Sequence, residues 1–513
     1  MKYAAYIAMV LCCLFAGFSA RSANILVRAT HADESEQATT AMHLRDTGEY
    51  KYNPHGPHGP TLYYWADALA MPDSAKLSIA DFRRAMTPIA VLVLAGLILS
   101  GRYVGRGAAW AAAACFAMSA TAQIYSGYFV HEIIFALAVF LTALAVWRFA
   151  CSPSVGAAAL AGALAALAQA TKETAPISFA AVALSLGVCA AFEEHIRNNL
   201  KHAFFTRSFF KYAAGFALAF AAVFCAFYSS FGSNWSGIAD AVKSYGHFFE
   251  KSVNPAFESD WTYYLQLLTL QKSEGARFGE LPLALLALAG LVFAVVGMKK
   301  SAWRCTFAVF AFCNAFFAVA ALSAITYKTP WLLLSPTVFL CSAAGFGAAE
   351  MLRRKNIFAW IAAVAVLVAL GFWQFKLSQN ATLRYASDPR NPFIYSHTVR
   401  DYSNLVRRIN ESAAFSEYKT DIPVAFVMEN SPWPAPFDLR KFRNAGFWSG
   451  GQIPENIGIF EVVVCDTPTA ESVKKRLSPD AYESEFYGLR KNLVLTVFIK
   501  RELFDKITKA SDK

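Results

Sequence analysis

The sequence predicts a polytopic α-helical membrane protein with about eleven transmembrane helices, followed by a C-terminal extracytoplasmic α/β domain. Of its 513 residues, 56% are hydrophobic and 16% are charged, whereas a soluble domain has about a quarter charged residues. Apolar runs close to the ~20 residues of a bilayer crossing recur through residues 1–376. Residues 377–513 are polar, and their patterns alternate between helix and strand. The composition therefore excludes an ordinary cytosolic enzyme.

Eleven apolar runs define the predicted transmembrane domain. They lie at about residues 3–20, 87–101, 107–123, 132–149, 155–170, 174–193, 212–231, 281–298, 304–323, 330–349 and 357–375. The first run has an alternative, a cleaved signal peptide, because Phe18-Ser19-Ala20 resembles a processing site. We expect the run to be retained as a span, since the charges of the loops follow a regular pattern only when it is counted.

Basic residues set the predicted orientation of the chain. The loops after the even-numbered spans carry Arg102, Arg106, Arg148, Arg197, Lys201, Arg207, Lys211, Lys299, Lys300, Arg304, Arg353, Arg354 and Lys355. The odd-numbered spans are followed by the longest polar loops, 21–86 and 232–280, and by the tail. The positive-inside rule then predicts a cytoplasmic N-terminus and an extracytoplasmic tail. These loops explain the net charge of +11, so we do not expect nucleic acid as a partner.

The tail is predicted to fold as a small α/β domain. Helical patterns cover residues 397–415 and 469–477, and β-branched runs at 422–428, 459–464 and 493–499 predict strands. Because no G-x-G-x-x-G motif follows a strand, the tail has no sign of nucleotide binding. We interpret it as an accessory domain. The ten cysteines include no CxxC pair and indicate neither a zinc site nor a disulfide framework.

The first outer loop, 21–86, carries the leading candidates for chemistry. Asp33 and Glu34 stand at the start of a predicted helix that ends before Gly48, where an acid serves either as a cap or as a catalytic group. The doubled His-Gly-Pro that follows contains His55 and His58 and is a stiff loop. Aromatic residues come next, as is typical of a membrane interface. The loop is therefore suited to a site where lipid and water-soluble reactants meet.

Further charged residues are predicted on the same side of the membrane. Glu132 begins the fourth span, where an ionisable group marks function unless it reaches the interface. Lys172 lies between the fifth and sixth spans, either as a surface pair with Glu173 or as part of a site. The cations Arg83, Arg84 and Lys328 contact either lipid head groups or a lipid-linked phosphate.

A metal site has weaker support in the sequence. The spacing of His31, His55 and His58 matches no standard zinc pattern. The alternative that we retain is a divalent cation, Mg²⁺ or Mn²⁺, held by Asp33 and Glu132. We do not expect any other cofactor.

Together these motifs resemble the GT-C glycosyltransferases, a superfamily that contains protein O-mannosyltransferases and the aminoarabinose transferase of lipid A. The resemblance rests on the acid pair, the His-Gly-Pro stretch, Glu132, Lys172-Glu173-Thr174 and Tyr327-Lys328-Thr329-Pro330-Trp331. The segments 391–398 and 433–437 look like those of the mannosyltransferase-like family of flippase activity-associated proteins. In that family an Arg more often precedes each acid, where this chain has Ala32 and His131. Phosphate binding would then fall to Arg83, Lys172 and Lys328.

The resemblance implies transfer of a sugar from a polyprenyl-phosphate-linked donor to an acceptor hydroxyl of a glycan, lipid or protein. Asp33 would be the general base, with Glu34 orienting it, and the anomeric carbon would be inverted. The expected location is the outer face of a bacterial inner membrane. The alternatives are a flippase or flippase-associated factor for lipid-linked glycans, and a non-catalytic assembly factor.

Overall fold

A computed structural model describes residues 2–56, 58–69, 76–253, 259–298 and 303–511. The chain divides into two compact units. One consists of Met1–Leu26, His43–Met71 and Ala80–Arg384, and the other of Val27–Met42, Pro72–Ile79 and Tyr385–Lys513. The predicted loop residues Pro57, Lys299 and Lys300 lie outside the described residues.

The described residues before the tail form helices and one short hairpin. The helices are α1 (Lys2–Val27), α2 (Ala32–Thr47), α3 (Thr61–Ala68), α4 (Ile79–Ala85), α5 (Thr87–Leu99), α6 (Gly101–Val104), α7 (Arg106–Met118), α8 (Ala120–Tyr125), α9 (Glu132–Cys151), α10 (Val155–Gln169), α11 (Ala175–Phe192), α12 (Glu194–Phe205), α13 (Ser208–Tyr228), α14 (Ser236–Val253), α15 (Tyr263–Leu268), α16 (Leu281–Met298), α17 (Trp303–Ser323), α18 (Leu334–Leu352) and α19 (Ile357–Gln379). The hairpin pairs β1 (Leu270–Ser273) with β2 (Ala276–Gly279).

Nine helical segments of the described chain are long and apolar enough to cross a membrane. They are Ala4–Ile25, Ile79–Val104, Glu132–Cys151, Ala175–Phe192, Ser208–Tyr228, Leu281–Met298, Trp303–Ser323, Pro330–Leu352 and Ile357–Arg384. The predicted span at 155–170 is the shorter α10. The one at 107–123 is split into α7 and α8, because Ser119 leaves the helical conformation and its side chain caps α8. The prediction of a polytopic helical membrane protein is confirmed.

Small residues let the apolar helices pack at short distances. A Cβ atom added at Gly290 of α16 would lie 2.1 Å from the carbonyl oxygen of Ala343 in α18, and one at Gly347 would lie 2.4 Å from that of Leu286. Such backbone contacts are how helices associate where lipid removes the hydrophobic driving force. The many alanines and glycines of this unit therefore fix its helix packing.

The tail folds around a five-stranded sheet. Its helices are α20 (Asp401–Phe415), α21 (Ala435–Asp438), α22 (Thr467–Arg476) and α23 (Arg501–Ser511), and its strands are β3 (Val424–Val427), β4 (Ala445–Trp448), β5 (Val462–Asp466), β6 (Tyr482–Arg490) and β7 (Leu493–Lys500). The strand order is β4-β3-β5-β7-β6, with β4, β3 and β5 parallel and the other pairs antiparallel. Apolar side chains of α20 and α23 cover one face, and those of α22 cover the other.

The predicted α/β pattern of the tail is confirmed, with two strands added. The central strands β3 and β5 are entirely buried and were predicted from their β-branched residues. The sequence analysis missed β4 and β6, which lie at the two edges of the sheet. Edge strands are only partly buried, so their polar and glycine residues hide the strand pattern.

Candidate active site

The N-terminus of α2 presents Asp33. His31 donates from Nε2 to the carbonyl oxygen of Tyr395 at 2.9 Å, and its Nδ1 accepts the backbone N–H of Asp33 at 3.1 Å. The imidazole therefore caps the helix, and the Asp33 side chain is not needed as a cap. The Asp33 carboxylate is half-buried and has no hydrogen-bond partner among the described residues. A carboxylate in the first turn of a helix is stabilised by the helix dipole.

The two predicted acids of this helix differ in their surroundings. Glu34 is completely buried, whereas Asp33 is accessible. One turn further on, partial desolvation together with the charge of Asp33 raises the pKa of Glu36. Asp33 is therefore the acid of this pair that a substrate can reach.

A second cluster forms where the His-Gly-Pro loop docks on the loop after α10. The Gly59 N–H donates to the Thr171 carbonyl at 3.3 Å, and the Thr61 hydroxyl donates to the Thr171 hydroxyl at 2.9 Å. A Cβ atom at Gly59 would lie 2.1 Å from the Ala170 carbonyl oxygen. Only glycine allows this approach, so Gly59 is the residue that lets the His-Gly-Pro loop pack against the loop after α10.

His58 and Glu173 form a buried pair in this cluster. His58 Nδ1 lies 2.9 Å from Glu173 Oε2, and the Tyr52 hydroxyl donates to Oε1 at 2.8 Å. Burial alone would raise the pKa of Glu173, but the hydrogen bond and the charge of His58 outweigh it and hold the pKa below its usual value. The His58 side chain is 23% exposed and that of Glu173 is inaccessible. The second ring nitrogen of His58, Nε2, has no partner in the described part of the chain.

Glu132 and Lys172 form the other buried pair. The Lys172 ammonium donates to Glu132 Oε1, and the two side chains are 3% and 5% exposed. The alternatives of a Glu132 that reaches the interface and a Lys172–Glu173 surface pair are therefore wrong. Neighbouring His131 donates from Nε2 to the Gly59 carbonyl at 2.8 Å. Burial, assisted by His58, lowers the pKa of His131 well below its usual value, so its ring is neutral.

The remaining predicted cations are engaged with protein groups. Arg83 is buried and donates to the Ile25 carbonyl at 2.9 Å. Lys328 is also buried and donates to the carbonyls of Ser259, at 2.9 Å, and Ile325, at 2.5 Å. Arg84 pairs with Asp81 at 2.8 Å on a more exposed surface.

His55 is exposed, and its ring packs edge-on against His247 at 5.0 Å between centroids. Among the predicted site residues, the structure thus gathers His58, Glu132 and Lys172 into one cluster. Glu173, expected from the sequence only as a neighbour of Lys172, is the group that orients His58.

Glu280 is a buried acid that was not predicted as a site residue. Glu280, which precedes α16, is completely buried and accepts hydrogen bonds from the Ser119 hydroxyl at 2.6 Å and from Gln374 at 2.7 Å. It also accepts the Thr121 N–H at 2.8 Å, so it helps to cap α8. Burial raises the pKa of Glu280. Its signal in the sequence was a lone acid at the border of an apolar run.

The divalent cation stays a prediction. Among the described residues no three His, Cys, Asp or Glu side chains form a group that would hold a metal ion. One oxygen of Glu132 is already bound by Lys172, and this leaves the carboxylate poorly suited as a ligand. We therefore route no chemical step through a metal.

Comparisons with known proteins give the fold a name. No family model and no curated protein matches the chain. Among solved structures it is similar to ArnT from Cupriavidus metallidurans bound to undecaprenyl phosphate, with a TM-score of 0.62 and 12% identity over 96% of this chain and 97% of that one. The apo form of ArnT gives 0.61 and 13%, covering 96% and 98%.

The oligosaccharyltransferase of Archaeoglobus fulgidus in its apo form is also similar. Its TM-score is 0.52 at 12% identity, over 97% of this chain and 77% of that one. At such identities the likeness concerns the fold, and these neighbours are GT-C glycosyltransferases. The finer resemblance to the flippase activity-associated family stays a prediction. The chain therefore has the GT-C fold that its motifs predicted.

Proposed function

We propose that this protein is a membrane glycosyltransferase that moves a sugar from a polyprenyl-phosphate-linked donor to an acceptor hydroxyl. The observation that carries the proposal is Asp33, an accessible carboxylate at the start of α2 that has no hydrogen-bond partner among the described residues, in a chain with a GT-C fold. The solved ArnT structure with undecaprenyl phosphate supports a donor of this class. The loop charges support a cytoplasmic N-terminus and a reaction at the outer face of the membrane. We propose a bacterial inner membrane as the setting.

Asp33 acts as the general base. The acceptor oxygen attacks the anomeric carbon while its proton passes to the Asp33 carboxylate. The bond between the anomeric carbon and the phosphate oxygen breaks, and its electron pair leaves with the phosphate, so the sugar is inverted. A positioned base contributes about 10²–10⁴-fold to the rate. No second carboxyl group is needed as an acid, because phosphate is a good leaving group once its charge is stabilised.

His58 is the group best suited to bind the donor phosphate. Lys172 is balanced by Glu132, and Arg83 and Lys328 donate to backbone carbonyls. His58 keeps Nε2 for a ligand, and Glu173 fixes the ring through Nδ1. With Nδ1 held by Glu173, Nε2 is the ring atom left to contact a phosphate oxygen.

The test is complementation of a strain that lacks this protein, read out as lipid-linked and surface glycans. Asp33→Asn keeps the shape of the side chain and removes the base. We expect it to restore no product and to leave the unused sugar carrier to accumulate. The matched control is Glu36→Gln on the next turn, which should restore the profile at equal membrane levels. Full restoration by Asp33→Asn would refute the catalytic role and favour a flippase or an assembly factor.

A further inference from the structure

Helix α12 is a short polar helix between two membrane-crossing helices. It spans Glu194–Phe205, and the apolar helices α11 and α13 precede and follow it directly. Asn199 donates from Nδ2 to the carbonyl oxygens of Ala150, at 3.0 Å, and Cys151, at 2.9 Å, at the C-terminal end of α9. Because α9 and α11 end at α12 and α13 begins there, the helix lies at the surface of the bilayer.

One face of α12 packs on the protein and the other face is exposed. Ile196 and Ala203 are buried two turns apart, on the same side of the helix. Ala203 belongs to a small apolar cluster with Tyr212 of α13, and this contact fixes the end of α12 against the start of α13. Phe204 and Phe205, which follow Ala203, are 54% and 86% exposed. The end of α12 therefore presents aromatic side chains away from the protein.

The aromatic surface continues into the first turn of α13. The ring centroids of Phe204 and Phe209 are 6.3 Å apart, and those of Phe209 and Phe210 are 5.7 Å apart. Tyr212 and Tyr228 are the buried residues of α13, so the rest of this apolar helix faces the lipid. The aromatic cluster of Phe204, Phe209 and Phe210 therefore lies where the acyl chains meet the head groups, as is typical of aromatic residues at a membrane interface.

Exposed cations flank this aromatic cluster. Lys201 lies in α12, Arg207 joins the two helices, and Lys211 lies in the first turn of α13. Within the ranges that the structure describes, none of these side chains forms an ion pair. The acids Glu193 and Glu194 stand at the opposite end of α12, ~18 Å from the end next to Arg207, which exceeds the ~8 Å over which exposed charges act in physiological salt. The end of α12 and the start of α13 thus form a surface of positive charge.

We propose that the end of α12 and the start of α13 bind the head groups of anionic phospholipids. Cations beside exposed aromatic rings match a lipid whose negative head lies at the surface and whose acyl chains lie below it. An acidic protein would match the cations but not the rings, which face the acyl chains. On the predicted orientation this is the cytoplasmic surface, whose anionic lipids attract basic segments next to a membrane helix. This inference goes beyond sugar transfer and does not depend on it.

The experiment is a lipid titration of the purified full-length chain in detergent, with the bound lipid counted by native mass spectrometry. The probes are phosphatidylglycerol and phosphatidylcholine with the same acyl chains. Both contain a phosphate, but only phosphatidylglycerol has a net negative charge. The test variant combines Lys201→Gln, Arg207→Gln and Lys211→Gln. The matched control removes the same charge from the exposed loop after α18 by combining Arg353→Gln, Arg354→Gln and Lys355→Gln.

Each cation near an anionic surface contributes about fivefold to the affinity, so the test variant should bind phosphatidylglycerol about 10²-fold more weakly than the wild type. Its affinity for phosphatidylcholine should be unchanged, and the control should bind both lipids as the wild type does.

Two outcomes overturn the proposal. One is an equal loss of affinity in the test variant and the control, because any basic loop would then serve. The other is a wild-type chain that binds phosphatidylcholine as tightly as phosphatidylglycerol, because the charge of the head group would then be irrelevant. If the test variant does not accumulate, Lys201→Gln combined with Lys211→Gln replaces it. That variant should bind phosphatidylglycerol about 30-fold more weakly, and wild-type affinity in it would also overturn the proposal.

Discussion

The buried pair of Glu132 and Lys172 gives the sharpest test of the site. The sequence suggested that both residues bind substrate, whereas the structure pairs them with each other at 5% and 3% exposure. Removing one partner leaves an uncompensated charge, which costs about 3–5 kcal/mol in a buried pair. Replacing both by apolar residues of similar size is often close to neutral. The variants are Lys172→Met, Glu132→Leu and the double substitution.

We expect each single variant to lose about 3–5 kcal/mol of the free energy of unfolding and the double variant to lose about 1 kcal/mol or less. The coupling free energy between the two positions should then be at least about 5 kcal/mol. The measurement is the denaturant midpoint of the purified full chain in detergent micelles. Lys243→Met is the control, because Lys243 pairs with Asp240 at 70% exposure. It should cost less than about 1 kcal/mol.

A Lys172→Met variant as stable as Lys243→Met would contradict a buried, mutually compensated pair. So would a double variant whose loss of stability equals the sum of the two single losses. The same variants also test function through the glycan profile. A stable double variant that restores the profile shows that the pair serves packing alone. A stable double variant that restores nothing supports the substrate-binding roles predicted for Glu132 and Lys172.

Two further predictions concern the loop and the tail. Gly59→Ala should unseat the His-Gly-Pro loop, because its Cβ would lie 2.1 Å from the Ala170 carbonyl oxygen, whereas Gly156→Ala meets nothing within 4 Å. The first should abolish glycan restoration and the second should not; equal activity of both would contradict the docking. Burial and nearby His31 lower the pKa of His397 to about 4. A neutral His397 therefore stabilises the fold fully above about pH 6.5, and this stability, about 3 kcal/mol, is lost as the pH falls towards 4. In His397→Gln the denaturant midpoint should vary less with pH over that range. A midpoint that depends on pH as steeply as in the wild type would contradict the assignment.

The sequence by itself determined the class of the fold and singled out Asp33 as a candidate acid. Apolar runs of bilayer length and the buried strands β3 and β5 are local patterns, because each residue reports its own surroundings. Asp33 could be chosen because a helix start is also a local signal. Edge strands such as β4 were not predicted, because an edge strand differs from a central one by lacking a neighbouring strand on one side.

The tertiary structure alone decided which charges meet. Lys172 and Glu173 are adjacent in the chain, yet one pairs with Glu132, 40 positions away, and the other with His58, 115 positions away. The cap of α2, His31, likewise donates to the carbonyl oxygen of Tyr395, a tail residue 364 positions away. Such partners are selected by how helices and loops pack in three dimensions, and neighbouring residues in a tight turn point in different directions. No local pattern carries that information, so the pairs and their balance of charge could be read only from the folded chain.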